Sequence, residues 1–267
     1  MLKAIRHLFA REGAKPLAAV PAGQRVYAVG DIHGRLDLFD ALIEAIEADD
    51  ASSAPADTTV VLLGDLVDRG PDSAGVVSRA RDWQRRRKVR ILAGNHEEMF
   101  LKSFDDRDTL RHFLRFGGRE TILSYGIDRA AYNAAEIEDV QAMIADAVPQ
   151  EDRDFIAGFE DMIAIGDYLF VHAGVMPDTP FEEQSSKHLR WIREPFLSHA
   201  EPFGAVVVHG HTICDEPEDC GNRIGIDTGA YSSGRLTALV LEGESRRYIE
   251  AVENDGTISA TSRVLAA

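Results

Sequence analysis

Five short motifs gather the residues able to do chemistry: GDIHG (30–34), GDLVDRG (64–70), GNHEE (94–98), HAG (172–174) and GHT (210–212). Each follows a short apolar run, which sets its polar groups just beyond a strand end, where α/β sheets place their sites. Asp31 and His33 are two residues apart, so in an extended segment both project from one side and can grip a single cation. Asp65 leaves a neighbouring strand and can offer its two oxygens to two cations. Asn95, His172 and His211 add a carbonyl oxygen and two imidazoles for the second cation. A mixed nitrogen and oxygen donor set without thiolate suits Mn²⁺, Fe or Zn²⁺ rather than Ca²⁺ or an iron–sulfur cluster.

In this order the motifs GDxHG, GDxVDRG, GNHE, HxG and GHT resemble those of the calcineurin-like metallophosphoesterases, specifically the bacterial and phage branch of the phosphoprotein phosphatases. The resemblance runs from Arg25 to Thr237 and takes in WIRE (191–194) and IDTGA (226–230). It implies an α/β fold of four layers, two mixed β-sheets flanked by helices, with a two-metal site at one edge. It also implies Asp31, His33, Asp65, Asn95, His172 and His211 as the metal ligands. Charge arithmetic agrees: two divalent cations bring four positive charges, Asp31 and Asp65 remove two, and a metal-held hydroxide removes one. The net positive pocket left in an acidic chain attracts phosphate. Metals about 3.5 to 4 Å apart bring a shared water near neutrality for in-line attack at phosphorus, so no covalent phosphoenzyme is required.

An alkoxide is a poor leaving group at neutral pH and needs a proton, for which His96, beside Asn95, is the candidate acid. Asp68 can accept a hydrogen bond from its imidazolium and favour the charged form. Arg69 can fork onto phosphate oxygens, with Asn95 beside them and Arg193 of WIRE as the second arginine. Arg190, three residues away, leaves that register open. Many relatives carry a basic residue just before GNHE where this chain has Ala93, whereas HAG and GHT agree with the bacterial branch.

The elements that must position these groups are legible as strands: RVYAVGD (25–31), VVLLGD (60–65), KVRILAG (88–94), YLFVHAG (168–174), GAVVVHG (204–210), RIGIDTG (223–229), RLTALVLEG (235–243) and SRRYIEAVE (245–253). Phe39, Leu42, Ile43 and Ile46 fall on one helical face. With 267 residues and 45% hydrophobic content, the chain reads as an N-terminal extension (1–24) and one metallophosphoesterase domain (25–267) with a helical cap inserted at about 97–167. CDEPEDCGN (214–222) reads as a loop.

The net charge of −16 opposes a nucleic-acid polymer or an acidic membrane as partner. The two cysteines, Cys214 and Cys220, read as reduced loop thiols rather than a redox pair, which together with the absence of an apolar spanning run suggests cytoplasm. The basic stretch 1–15 reads as a frayed helix rather than a membrane-surface anchor. His209 shares the direction of His211 but reads as a supporting or packing residue; His7, His112, His188 and His199 read as surface or packing residues. The expected partner is a phosphorylated protein or peptide, or a small phosphorylated substrate. The expected activity is hydrolysis of phosphomonoesters, foremost phosphoserine and phosphothreonine in proteins. The alternative is hydrolysis of dinucleoside polyphosphates of the diadenosine tetraphosphate type, whose enzymes resemble this chain in GDxHG, GDLV, GNH and the late DTG. An inactive metal-binding adaptor ranks last, since every ligand and the acid are present.

Overall fold

The computed structural model describes residues 17–263, so the expected helix over 1–15, with His7, lies outside the described residues. Strands β1 (Gln24–Val29), β2 (Asp57–Leu62) and β3 (Val89–Ile91) pair in parallel. Their sheet is completed on the other side of β1 by antiparallel β9 (Arg235–Glu242), β10 (Ser245–Asn254) and β11 (Thr257–Arg263). The second sheet runs β4 (Met162–Ile165), β5 (Tyr168–Val171), β6 (Val206–His209), β8 (Arg223–Gly225) and β7 (Glu218–Asp219). Its central β5, β6 and β8 are parallel, and both edge strands are antiparallel to their neighbours.

The period-two geometry of β1 and β2 explains why both read as unbroken apolar runs. Val26, Ala28, Val61 and Leu63 face Phe170, Val208, Ile224 and Ile226 of the second sheet, forming the core between the sheets. Tyr27, Val29, Val60 and Leu62 point the other way, against Leu38, Phe39, Leu42, Ile43 and Ile46 of α1 (Leu36–Ser52) and Val76, Val77, Ala80 and Trp83 of α2 (Ser73–Gln84). Across the second sheet, Val171 and Val207 pack on Leu189, Ile192 and Phe196, the first of them in α9 (Ser186–Trp191). Helix, sheet, sheet and helix are thus the four expected layers.

Between β3 and β4 come α3 (Asn95–Ser103), α4 (Arg107–Phe113), a widened turn at Leu114–Gly118, α5 (Arg119–Ser124), α6 (Arg129–Ala134), α7 (Ile137–Ala147) and α8 (Gln150–Ala157). Phe100, Phe113, Ile122, Ile144 and Ile156 from this run join the core of α1 and α2. The helical stretch therefore stops at Ala157, short of the expected 167, because Met162–Ile165 forms the edge strand β4. Chain packing also begins ahead of residue 25: Val20 is buried and its N–H donates to the Gly243 carbonyl at 3.0 Å. The loop 214–222 contains the two-residue strand β7, and Cys214 and Cys220 are free thiols. No helix among the described residues is long and apolar enough to cross a membrane.

Candidate metal centre and active site

The two sheets bring six parallel strand ends to one edge. Asp31 follows β1, Asp65 follows β2 and Asn95 opens α3 after β3; His172, His211 and Asp227 follow β5, β6 and β8. The backbone there is unusual. Of the seven non-glycine residues with positive φ among the described residues, five are His33 (47°), Asp65 (49°), Asp68 (75°), Arg69 (69°) and His211 (62°). Such conformations are costly and persist where surrounding contacts enforce them. The extended geometry expected for Asp31 and His33 is thereby corrected: the chain turns at His33, and the N–H groups of Ile32 and His33 both donate to the Asp65 carbonyl, at 3.1 and 2.9 Å.

Glu97, given no role from the sequence, organises much of this edge. Its buried carboxylate accepts from the N–H groups of Asp65 (2.8 Å), Leu66 (2.7 Å) and Gly94 (2.9 Å). Burial and the neighbouring Asp65 push its pKa up to about 7, against the pull of these donors. Two motif glycines also have steric reasons. A Cβ on Gly94 would lie 2.1 Å from Asp65 Oδ1, and one on Gly210 would lie 2.0 Å from Asp31 Oδ1.

Asp65 lies at the centre of two clusters whose ligand atoms all fall within 4.8 Å of one another: Asp65 with His33 and His96, and Asp65 with His172 and His211. Its Oδ2 stands 3.5 Å from His33 Nε2 and 3.4 Å from His172 Nε2. His33 Nδ1 lies 2.7 Å from the Val67 carbonyl and His172 Nδ1 lies 2.8 Å from the Leu63 carbonyl. A carbonyl only accepts, so each Nδ1 carries a proton and each Nε2 faces Asp65. Asn95 Oδ1 approaches His172 Nε2 to 3.1 Å. Acceptors crowd this closely only around positive charge, which a proton on Nε2 or a metal cation supplies.

Asp31 stands outside both clusters at that spacing. Its Oδ2 accepts from the His211 N–H at 3.0 Å, while its Oδ1 is buried without a hydrogen-bond partner, as is His211 Nε2. Burial and nearby His172 pull His211 down to about 3, so its imidazole is neutral at physiological pH, as a metal ligand must be. Burial together with Asp227 and Asp65 holds Asp31 above the usual carboxylate range, the direction a cation would reverse. The orphaned Asp31 Oδ1 and the neutral, unpartnered His211 Nε2 near the shared Asp65 carboxylate fit a pair of divalent cations.

In the first of these clusters, His96 Nδ1 lies 2.6 Å from Asp68 Oδ2. Burial lowers the pKa of His96, but Asp65 and Asp68 outweigh it, and the net shift is upward. The Arg69 fork reaches in, NH1 2.9 Å from His33 Nε2 and NH2 3.0 Å from His96 Nε2, and lies over the Tyr231 ring at 4.7 Å. Arg190 bonds Asp161 and Glu98, whereas Arg193 lies at the rim with NH2 3.5 Å from the His211 carbonyl. His209 packs edge-on against Phe196 with Nδ1 3.1 Å from the Gly210 carbonyl, and burial lowers it to about 4. His112 and His199 lie against Phe116 and Phe203.

The sequence matches the calcineurin-like phosphoesterase family over residues 24–227. The chain belongs to that family. This calcineurin-like phosphoesterase is 27% identical over 238 residues to the asymmetrical bis(5'-nucleosyl)-tetraphosphatase PrpE of Bacillus velezensis, covering 79% of this chain and 86% of that protein. It is 28% identical over 224 residues to serine/threonine-protein phosphatase 1 of Salmonella typhimurium, covering 80% and 90%. Its fold matches a crystal structure provisionally assigned as a diadenosine tetraphosphatase, with TM-score 0.58 and 21% identity, covering 94% of this chain and all 100% of that one.

Proposed function

We propose that this calcineurin-like phosphoesterase is a two-metal phosphatase acting on phosphomonoesters, foremost phosphoserine and phosphothreonine in proteins. The observation that carries this reading is the 2.6 Å contact between Asp68 and His96, itself a member of one Asp65 cluster. Asp31, His33, Asp65, Asn95, His172 and His211 would hold the cations, manganese first, with iron or zinc also suited to the donors. When bound, two such ions polarise phosphate oxygens and supply an activated water. Arg69, Arg193 and the Asn95 amide orient the phosphate. His96, aligned by Asp68, donates its proton to the departing oxygen.

An aliphatic alkoxide requires that proton far more than a departing nucleotide does, so a buried, aligned acid favours monoesters of serine and threonine. The second reading, cleavage of dinucleoside polyphosphates, is favoured by the PrpE likeness and by two exposed rings near Arg69. Tyr231 lies under its guanidinium, and Phe116 precedes Gly117, whose carbonyl accepts the Arg69 N–H. Either ring can stack on a base. A side-by-side measurement of kcat/KM on phosphopeptides, diadenosine tetraphosphate and a phosphodiester decides. We expect the phosphopeptides to lead; a tetraphosphate preferred by tenfold or more overturns that choice.

A further inference from the structure

Asp68 is gripped from two sides, and one grip comes from the helical insertion, 53 residues away in sequence. Thr121 of α5 is fully buried, and its Oγ1 lies 2.6 Å from Asp68 Oδ1, while His96 Nδ1 lies 2.6 Å from Asp68 Oδ2. The Asp68 N–H donates to Thr121 Oγ1 at 2.8 Å and to Ser73 Oγ at 3.0 Å, and the two hydroxyl oxygens are 2.9 Å apart. A carboxylate only accepts, so the Thr121 proton goes to Asp68 and the Ser73 hydroxyl becomes the donor between them. Every hydrogen-bonding capacity of the Thr121 hydroxyl is then used. The Gly117 carbonyl accepts the Arg69 N–H at 3.1 Å, and four residues later the next turn of the insertion thus takes hold of Asp68.

This grip matters because the loop does not hold its shape by intrinsic preference. Asp68 and Arg69 are consecutive non-glycine residues at φ 75° and 69°. A carboxylate on such a loop, bonded by one oxygen to an imidazole, keeps its torsional freedom unless the other oxygen is also fixed. We propose that Thr121 is a positioning residue: from the helical insertion it fixes the Asp68 carboxylate, and through Asp68 it aims the His96 ring at the departing oxygen. The inference rests on the reading of His96 as the acid.

The test uses the full-length, metal-loaded protein and a series of aryl and alkyl phosphates of rising leaving-group pKa, with His96→Asn as reference. Thr121→Val, nearly isosteric, should lose about 10- to 100-fold in kcat on the poorest leaving group and less than about 3-fold on p-nitrophenyl phosphate, a fraction of what full acid catalysis contributes. Metal content and KM should stay close to those of the parent. Thr121→Ser, which keeps the hydroxyl, should restore the parent's leaving-group dependence. Equal losses across the series for Thr121→Val, or a Thr121→Ser as impaired as Thr121→Val, overturns the proposal. Should Thr121→Val melt below the assay temperature, Ser73→Ala, which removes the donor to Thr121 and one of the two acceptors of the Asp68 N–H, should steepen the dependence less but in the same sense. An unchanged slope there rejects the proposal. A flat loss in His96→Asn defeats the acid assignment and this inference with it, whereas a steep loss in His96→Asn beside a flat one in Thr121→Val rejects Thr121 alone.

Discussion

His96 holds two opposed influences in one ring. Burial favours the neutral imidazole, while Asp65 and Asp68 favour the charged one and prevail in the chain by itself. With Nδ1 committed to Asp68, Nε2 is the atom the proposed acid role would use, and Arg69 NH2, 3.0 Å from it, would turn to the phosphate to free it. On the proposed reading, His96→Asn removes the proton and leaves the six proposed ligands in place. We expect both metals to remain bound and kcat to fall about 10²- to 10⁴-fold on an alkyl phosphate, but much less on p-nitrophenyl phosphate; elemental analysis with steady-state kinetics checks both. Asp65, Asp68, Asn95 and His96 were legible because local motifs set each at a strand end. Thr121 was not, since it lies inside a helical run with no motif around it and meets Asp68 only after the chain folds back. The turn at His33 was also hidden, because residue spacing does not reveal a change of backbone region. Glu97 stood in view within GNHEE, but its task is to receive backbone donors from a loop 30 residues earlier, which residue type alone does not announce.

At the scale of elements, β1, β2, β5 and β6 were readable because both faces of each are buried, leaving apolar runs of unmistakable length. β11 was missed because it is a largely exposed edge strand of TISATSR composition, without an apolar alternation to mark it. The end of the helical insertion was misplaced because β4, with only Ile163 buried, carries a weak pattern beside the strong one of β5. The joint between β2 and α3 is the element on which the centre depends most. Glu97 holds the loop after β2 and the N-terminus of α3 together through buried N–H donors. Glu97→Gln would turn an amide N–H₂ against some of them, and the expected cost is on the order of 2 to 4 kcal/mol of stability. Urea unfolding measures it; a loss under about 0.5 kcal/mol, the range of ordinary surface changes, would contradict the role given to this carboxylate.

The whole molecule carries a formal charge of −16, yet its parallel strand ends converge where Arg69 and Arg193 face a cluster of histidines. That contrast makes sense if resident cations reverse the local sign and draw a phosphate into an otherwise repelling protein. The fold layers and the family membership agree with this, but neither one tests it. The direct measurement is anomalous diffraction from crystals grown with manganese. The account predicts two peaks about 3.5 to 4 Å apart, with the Asp65 carboxylate between them, Asp31 and His33 around one, and Asn95, His172 and His211 around the other. A single peak, or two peaks of which the Asp65 carboxylate reaches only one, would contradict it.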